Sequence, residues 1–235
     1  MKYVFFFLLL ALAQGVCVAL LAHPARHLLL WPALSCVVLA YAYARNRPHL
    51  VLGKSSDGRI SWFWTTLNLP WLFFTWTTWI VLAVFSREPR VSRLEGTNIH
   101  LGRWPLLGPD LSRFDVVVDL AAELPRWYRF AHRYEALPNL DGMPLVHDMP
   151  RVEIGPDTVV LVHCAQGHGR TASFVALLLC RRGITSTVEE AIALIHDGRP
   201  LARMSRSQRR AVVAKLNVQP PADDAGREEE KGARE

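Results

Sequence analysis

His163-Cys164-Ala165-Gln166-Gly167-His168-Gly169-Arg170-Thr171 is the stretch on which the reading of this chain turns. A β-branched run, residues 158–162, leads into it from Gly155-Pro156, and a longer apolar run, residues 172–179, leads out of it towards Gly183. The first run predicts a buried strand and the second a helix. The order is therefore strand, small-residue loop, helix, with a cysteine entering the loop and an arginine leaving it.

That arrangement suits a phosphate dianion. Gly167 and Gly169 allow the backbone to curl so that successive N–H groups face inward. The helix beginning near Gly169 adds its positive end. Arg170 presents a planar fork to two phosphate oxygens. The same field favours the thiolate of Cys164, and the Thr171 hydroxyl is placed to donate to the sulfur.

His-Cys-x5-Arg-Thr after a strand resembles the signature loop of the cysteine-dependent protein tyrosine and dual-specificity phosphatases. The resemblance covers residues 96–217. It implies an α/β unit, a small, mostly parallel sheet flanked by helices. It also implies Cys164 as nucleophile, Ala165, Gln166, Gly167, His168, Gly169 and Arg170 as the phosphate-binding loop, and His163 and Thr171 in support. No metal or other cofactor is implied. His163 would orient the loop, and His168 would face the substrate. The general acid of such enzymes is an aspartate in a Pro- and Gly-containing loop upstream of the cysteine. Asp141, in Leu137-Pro138-Asn139-Leu140-Asp141-Gly142-Met143-Pro144, matches that setting. It lies 23 residues before Cys164, closer than usual in the family, so the intervening helix is expected to shrink to a turn or two. Asp148 is the rival acid, and Asp157 reads as a turn residue. Asp119 and Glu123, in a pattern like the family's Asp-Leu-x-x-Glu, read as structural.

The resemblance leaves two substrate classes: a phosphorylated protein, as for dual-specificity enzymes, or a lipid phosphate such as phosphatidylglycerophosphate. The loop carries no lysine, which disfavours a highly phosphorylated inositol. A silent phosphate-binding relative is the non-enzymatic alternative. Nucleic acid is not an expected partner, although Arg126, Arg129 and Arg133 interleave with the aromatic residues of 127–134.

The rest of the chain is uneven. Hydrophobic residues make up 51% of its 235 residues, concentrated in 1–85, and the formal charge is +6. Such a charge fits an anionic substrate or an anionic membrane surface. Runs at 3–22, 28–44 and 60–85 are long enough to be candidate membrane spans. The first also has features of a signal peptide around Ala11-Leu12-Ala13. The third holds Trp62, Trp64, Trp71, Trp76 and Trp79, so lying in the membrane interface is its alternative. Asn68-Leu69-Pro70 is expected to kink it, with threonines satisfying the freed carbonyls.

The expected organisation is a multi-pass membrane region at 1–85 in contact with lipids, a basic linker at 86–95, the catalytic unit at 96–217 and a disordered charged tail at 218–235. Three spans would put the loop 45–59 and the linker on opposite membrane faces. That loop, with Gly53-Lys54-Ser55-Ser56, reads as a plain turn. Cys17, Cys36, Cys164 and Cys180 show no disulfide or metal spacing, which points to a reducing compartment and a cytoplasmic catalytic unit.

Overall fold

The computed structural model describes residues 2–106, 110–127, 133–150 and 153–217. The tail 218–235 and most of the aromatic, basic segment, residues 128–132, lie outside them.

Five strands form one sheet: β1 (Val91–Arg93), β2 (Ile99–Gly102), β3 (Val116–Ala121), β4 (Arg133–Asn139) and β5 (Val160–His163). Their order across the sheet is β1-β2-β5-β3-β4. β1 runs antiparallel to β2, and every other pairing is parallel. β3 and β5 lie inside the sheet and are buried at every position, as their uninterrupted apolar character requires of strands covered on both faces. The linker expected at 86–95 is in part this edge: residues 91–93 donate a strand, and Leu94 is fully buried.

Three helices follow β5. α5 (Gly169–Arg181) stops where Gly183 turns left-handed at φ +65°, with the N–H of Gly183 on the Cys180 carbonyl and that of Ile184 on the Leu179 carbonyl. Only glycine takes that turn cheaply, so the apolar run ends there. α6 (Val188–Gly198) is capped by Thr187, whose hydroxyl accepts from the Glu190 N–H at 3.1 Å. α7 (Arg206–Asn217) follows Ser205, which caps the Gln208 N–H at 3.2 Å. Phe174, Val175, Leu177, Val188, Ile195 and Val212 pack with the sheet in one core.

The apolar first third is helical. α1 (Lys2–Leu20), a 3-10 turn at Pro24–Leu29 leading into α2 (Leu30–Ala44), the short α3 (His49–Leu52) and α4 (Trp62–Phe85) succeed one another. Lys2–Leu20, Pro24–Ala44 and Trp62–Phe85 are each long and apolar enough to cross a membrane. Their outer faces leave Phe5, Leu9, Leu20, Phe73 and Phe85 more than two-thirds exposed. Pro70 cannot donate to the Thr66 carbonyl four residues back. The partner is not a threonine, as expected, but the Trp31 indole, 3.1 Å from the Thr66 oxygen and 3.2 Å from that of Leu67.

The loop read as a plain turn is an anchor. Lys54 inserts a fully buried ammonium between strands, 2.6 Å from Asp119 Oδ2, 3.0 Å from the Ala121 carbonyl and 2.7 Å from that of Leu124. All three of its donors are thus used. The Ser56 carbonyl accepts from the Ala136 N–H of edge strand β4 at 2.8 Å. After α4, Glu88 binds the side chain of His168, in the loop between β5 and α5. The two flanks of α4, expected on opposite membrane faces, therefore hold the same sheet. Between them Trp76 donates its indole N–H to the Glu123 carbonyl at 2.8 Å. Phe7, Leu39, Leu52 and Leu72 share a core with Ala122 and Leu140, so helices and sheet form one packed body.

Candidate active site

Cys164 leaves the C-terminal end of β5, and Arg170 occupies the first turn of α5. In an open parallel sheet this end, where strands hand over to helices, is where anionic ligands are bound. Both side chains are almost wholly buried.

Between them Gly167 sits at φ +73°, and a Cβ there would overlap the carbonyl oxygen of Gly102 on β2. Gly169 was expected to share this role. It is absent from the left-handed region and opens the helix instead, with a Cβ position 3.1 Å from the Gln208 side chain. The Ala165 carbonyl accepts from the Trp104 N–H at 3.0 Å, and that of Gln166 from Arg199 Nη2 at 2.8 Å. In a trans peptide the N–H points opposite to the C=O. The N–H groups of Gln166 and Gly167 thus face the inside of the loop, beside the first N–H groups of α5, which have no intrahelical acceptor.

Arg170 is held by a fork. Its Nη1 and Nη2 each lie 2.7 Å from a Glu123 carboxylate oxygen, and Nη1 also donates to the Asn139 carbonyl at 3.0 Å. Asp141 Oδ1 is 3.4 Å from Nη2. Nε is buried without a hydrogen-bond partner among the described residues, which leaves a donor for a ligand. Burial alone would weaken this cation. The carboxylates of Glu123 and Asp141 and the sulfur of Cys164 outweigh it and hold the guanidinium protonated well above its ordinary value.

The other expected residues fall as follows. His163 is buried, with Nδ1 3.4 Å from the Cys164 carbonyl oxygen and 3.9 Å from Asp119. Burial pushes its imidazole below the usual 6.5 despite the Asp119 carboxylate, so it is neutral. His168, expected to face substrate, pairs with Glu88 at 2.8 Å. The Thr171 hydroxyl is buried and makes no hydrogen bond among the described residues, to the sulfur or elsewhere. Asp141 is half exposed at the end of β4, beside Arg170. Asp148 is tied to Arg181 at 3.2 Å and to Lys215 at 3.0 Å. Asp157 lies in the turn before β5. No helix occupies the described residues between Asp141 and Cys164. The shortened helix is replaced by turns that cover the sheet with Leu145 and Ile154.

Arg199 follows the last residue of α6. It is fully buried, donates to the carbonyls of Pro89 and Gln166, and lies 3.2 Å from Glu88. The Cys164 sulfur acts on its charge as it does on that of Arg170. A lone arginine before a proline carries no sequence signal for such a task, because the groups that it joins are brought together only by the sheet.

Residues 144–221 match the family model described as PTP-SAK: Swiss Army Knife protein, DSP-PTPase phosphatase domain. No curated protein matches the chain. Among solved structures it is similar to Tk-PTP in the active form (21% identity, 56% of this chain and 99% of that one, TM-score 0.44). It is likewise similar to human DUSP28 (16%, 55% and 97%, TM-score 0.43) and to PTPMT1 in complex with PI(5)P (20%, 55% and 99%, TM-score 0.42). The segment matched by the family model holds β5, the Cys164–Arg170 loop and the three helices after it, so Cys164 and Arg170 fall inside a region similar to a DSP-PTPase phosphatase domain.

Proposed function

We propose that this chain is a membrane-associated phosphomonoester hydrolase that works through a cysteinyl-phosphate intermediate. The observation that carries the reading is the burial of Cys164 and Arg170 at the two ends of one glycine-turned loop at the C-terminal edge of the sheet.

The thiolate of Cys164 attacks phosphorus; the Sγ–P bond forms as the ester P–O bond breaks. Asp141 gives its proton to the departing oxygen, and the alcohol leaves. The loop N–H groups and the free Nε–H of Arg170 meet the equatorial oxygens, where charge is concentrated in the transition state. Asp141, now a carboxylate, takes a proton from water as the water oxygen bonds to phosphorus. The Sγ–P bond breaks, phosphate departs and the thiolate returns. His163 and Arg199 position the loop. The same chemistry serves a phosphorylated protein side chain or a lipid phosphate. The reducing conditions that a thiolate needs put the catalytic unit on the cytoplasmic side.

The test is release of phosphate from p-nitrophenyl phosphate by the full-length protein, with acid quenching to trap phosphocysteine. Wild type should turn over and yield the trapped adduct, and Cys164→Ser should do neither. A wild-type protein that binds phosphate analogues and releases nothing would be a silent binding module instead.

A further inference from the structure

A cavity of about 400 Å³ lies where the helices meet the catalytic unit. Its apolar wall comes from Phe6 and Phe7 of α1, Leu39 of α2, Val51 of α3 and Trp71 and Trp79 of α4. Glu123 and Asp141, the two carboxylates beside Arg170, also line it. A volume in the range of about 300–1,000 Å³, mostly apolar with a few converging polar groups, is that of a small-molecule site.

Resting on the phosphatase reading above, we infer that this cavity holds the hydrophobic tail of the substrate, which is a phosphomonoester of a membrane amphiphile. The acid that protonates a leaving oxygen stands beside it, so the organic half of the ester extends to the Asp141 side of the loop. On that side is the apolar cavity. Its walls are the inner faces of the same helices whose outer faces expose Phe5, Leu9, Phe73 and Phe74. A tail thus passes from a lipid phase into the protein without crossing water. A phosphorylated protein would have to bring its backbone to the same mouth past these faces.

A second feature marks the cavity as a ligand site. Thr65, Thr77 and Thr78 of α4 each return their hydroxyl to the carbonyl four residues back. Thr75, which lines the cavity and is 9% exposed, leaves its buried hydroxyl without a partner among the described residues. A hydroxyl kept unpaired in an apolar wall costs stability unless a ligand completes it, and an ester or hydroxyl oxygen near a lipid phosphate supplies the partner.

The experiment uses full-length protein in phosphatidylcholine nanodiscs and the soluble n-alkyl phosphates from ethyl to octyl, with p-nitrophenyl phosphate and a phosphotyrosine peptide alongside. kcat/KM should climb with chain length, by up to about fourfold per methylene, and then level off as the cavity fills. Val51→Phe and, separately, Leu39→Trp should cut the octyl-to-ethyl ratio at least tenfold. The ratio is taken within each variant, so a general loss of folded protein cancels. A flat chain-length profile in an enzyme that cleaves p-nitrophenyl phosphate would overturn the tail site and leave the phosphatase reading standing. So would a peptide cleaved faster than octyl phosphate with no response to either variant. Loss of all turnover, p-nitrophenyl phosphate included, would instead overturn the phosphatase reading itself.

Discussion

Lys54 Nζ lies 2.6 Å from Asp119 Oδ2, and neither side chain reaches solvent. One residue comes from the loop before α4 and the other from an inner strand of the five-stranded sheet, so this pair rivets the helical part to the sheet. Asp119 also accepts from the Tyr134 hydroxyl at 2.8 Å and from the Ala121 N–H at 2.9 Å. Burial would raise its carboxyl; Lys54 foremost, together with the Ala121 N–H, brings it below its usual 3.8.

Removing one partner of such a pair leaves a buried charge alone. Lys54→Met is therefore expected to destabilise the protein by about 3–5 kcal/mol, and Lys54→Met combined with Asp119→Asn by less than the single change. Thermal unfolding in nanodiscs followed by circular dichroism checks this. A loss in the double variant equal to the sum of the losses in Lys54→Met and Asp119→Asn alone would show that the pair is not coupled.

Asp141 and Asp148 are separated by what they touch. Asp141→Asn should lower kcat by about 10²–10⁴-fold on alkyl phosphates, whose leaving groups need a proton, and far less on p-nitrophenyl phosphate. Asp148→Asn breaks contacts with Arg181 and Lys215 at the foot of α5 and α7. Its effect should be a lower melting temperature with an unchanged leaving-group dependence.

Glu123 holds both terminal nitrogens of Arg170, and in the proposed reaction it aligns that guanidinium without touching phosphorus. Glu123→Gln keeps the shape and removes the charge, so one strong charge-assisted contact weakens, worth about 1.5–3 kcal/mol. Inhibition by vanadate should weaken about tenfold or more, read as its inhibition constant against wild type.

His163 gives the protein an acid-sensitive stability. Its folded imidazole is held below 6.5, chiefly by burial, with Lys54 and Arg170 adding to the effect and Asp119 opposing it. Below about pH 6.5 the unfolded chain binds the proton and the folded one does not, so stability is present above that value and is lost as pH falls towards the folded one. Asp119, also depressed, adds loss of the same sign at lower pH, below its unfolded 3.8. Unfolding midpoints at pH 7.5, 6.5, 5.5 and 5.0 should fall in wild type and flatten in His163→Gln.

How much of this was legible beforehand depends on distance along the chain. The strand-loop-helix order around Cys164 and the helix-forming runs of the apolar third could be read in advance. Each is set by neighbours a few residues away, through periodicity, turn chemistry and capping. Gly169 was misread because two glycines in one loop look alike until the strand beside them is in place. The Gly102 carbonyl crowds Gly167 alone.

By itself the sequence determined the strand-loop-helix order that carries Cys164 and Arg170 and the helix-forming apolar third, since spacing within nine residues and sustained hydrophobicity suffice for each. Tertiary structure alone decided that Glu123 forks Arg170 from 47 residues away and that Lys54 reaches Asp119 from 65. It also decided that Glu88 meets His168 across 80 residues, and that the cavity opens beside Asp141. Those contacts follow from the strand order β1-β2-β5-β3-β4 and from helices packed across its C-terminal edge. Buried charges must find partners there, and no local spacing encodes which partners those will be.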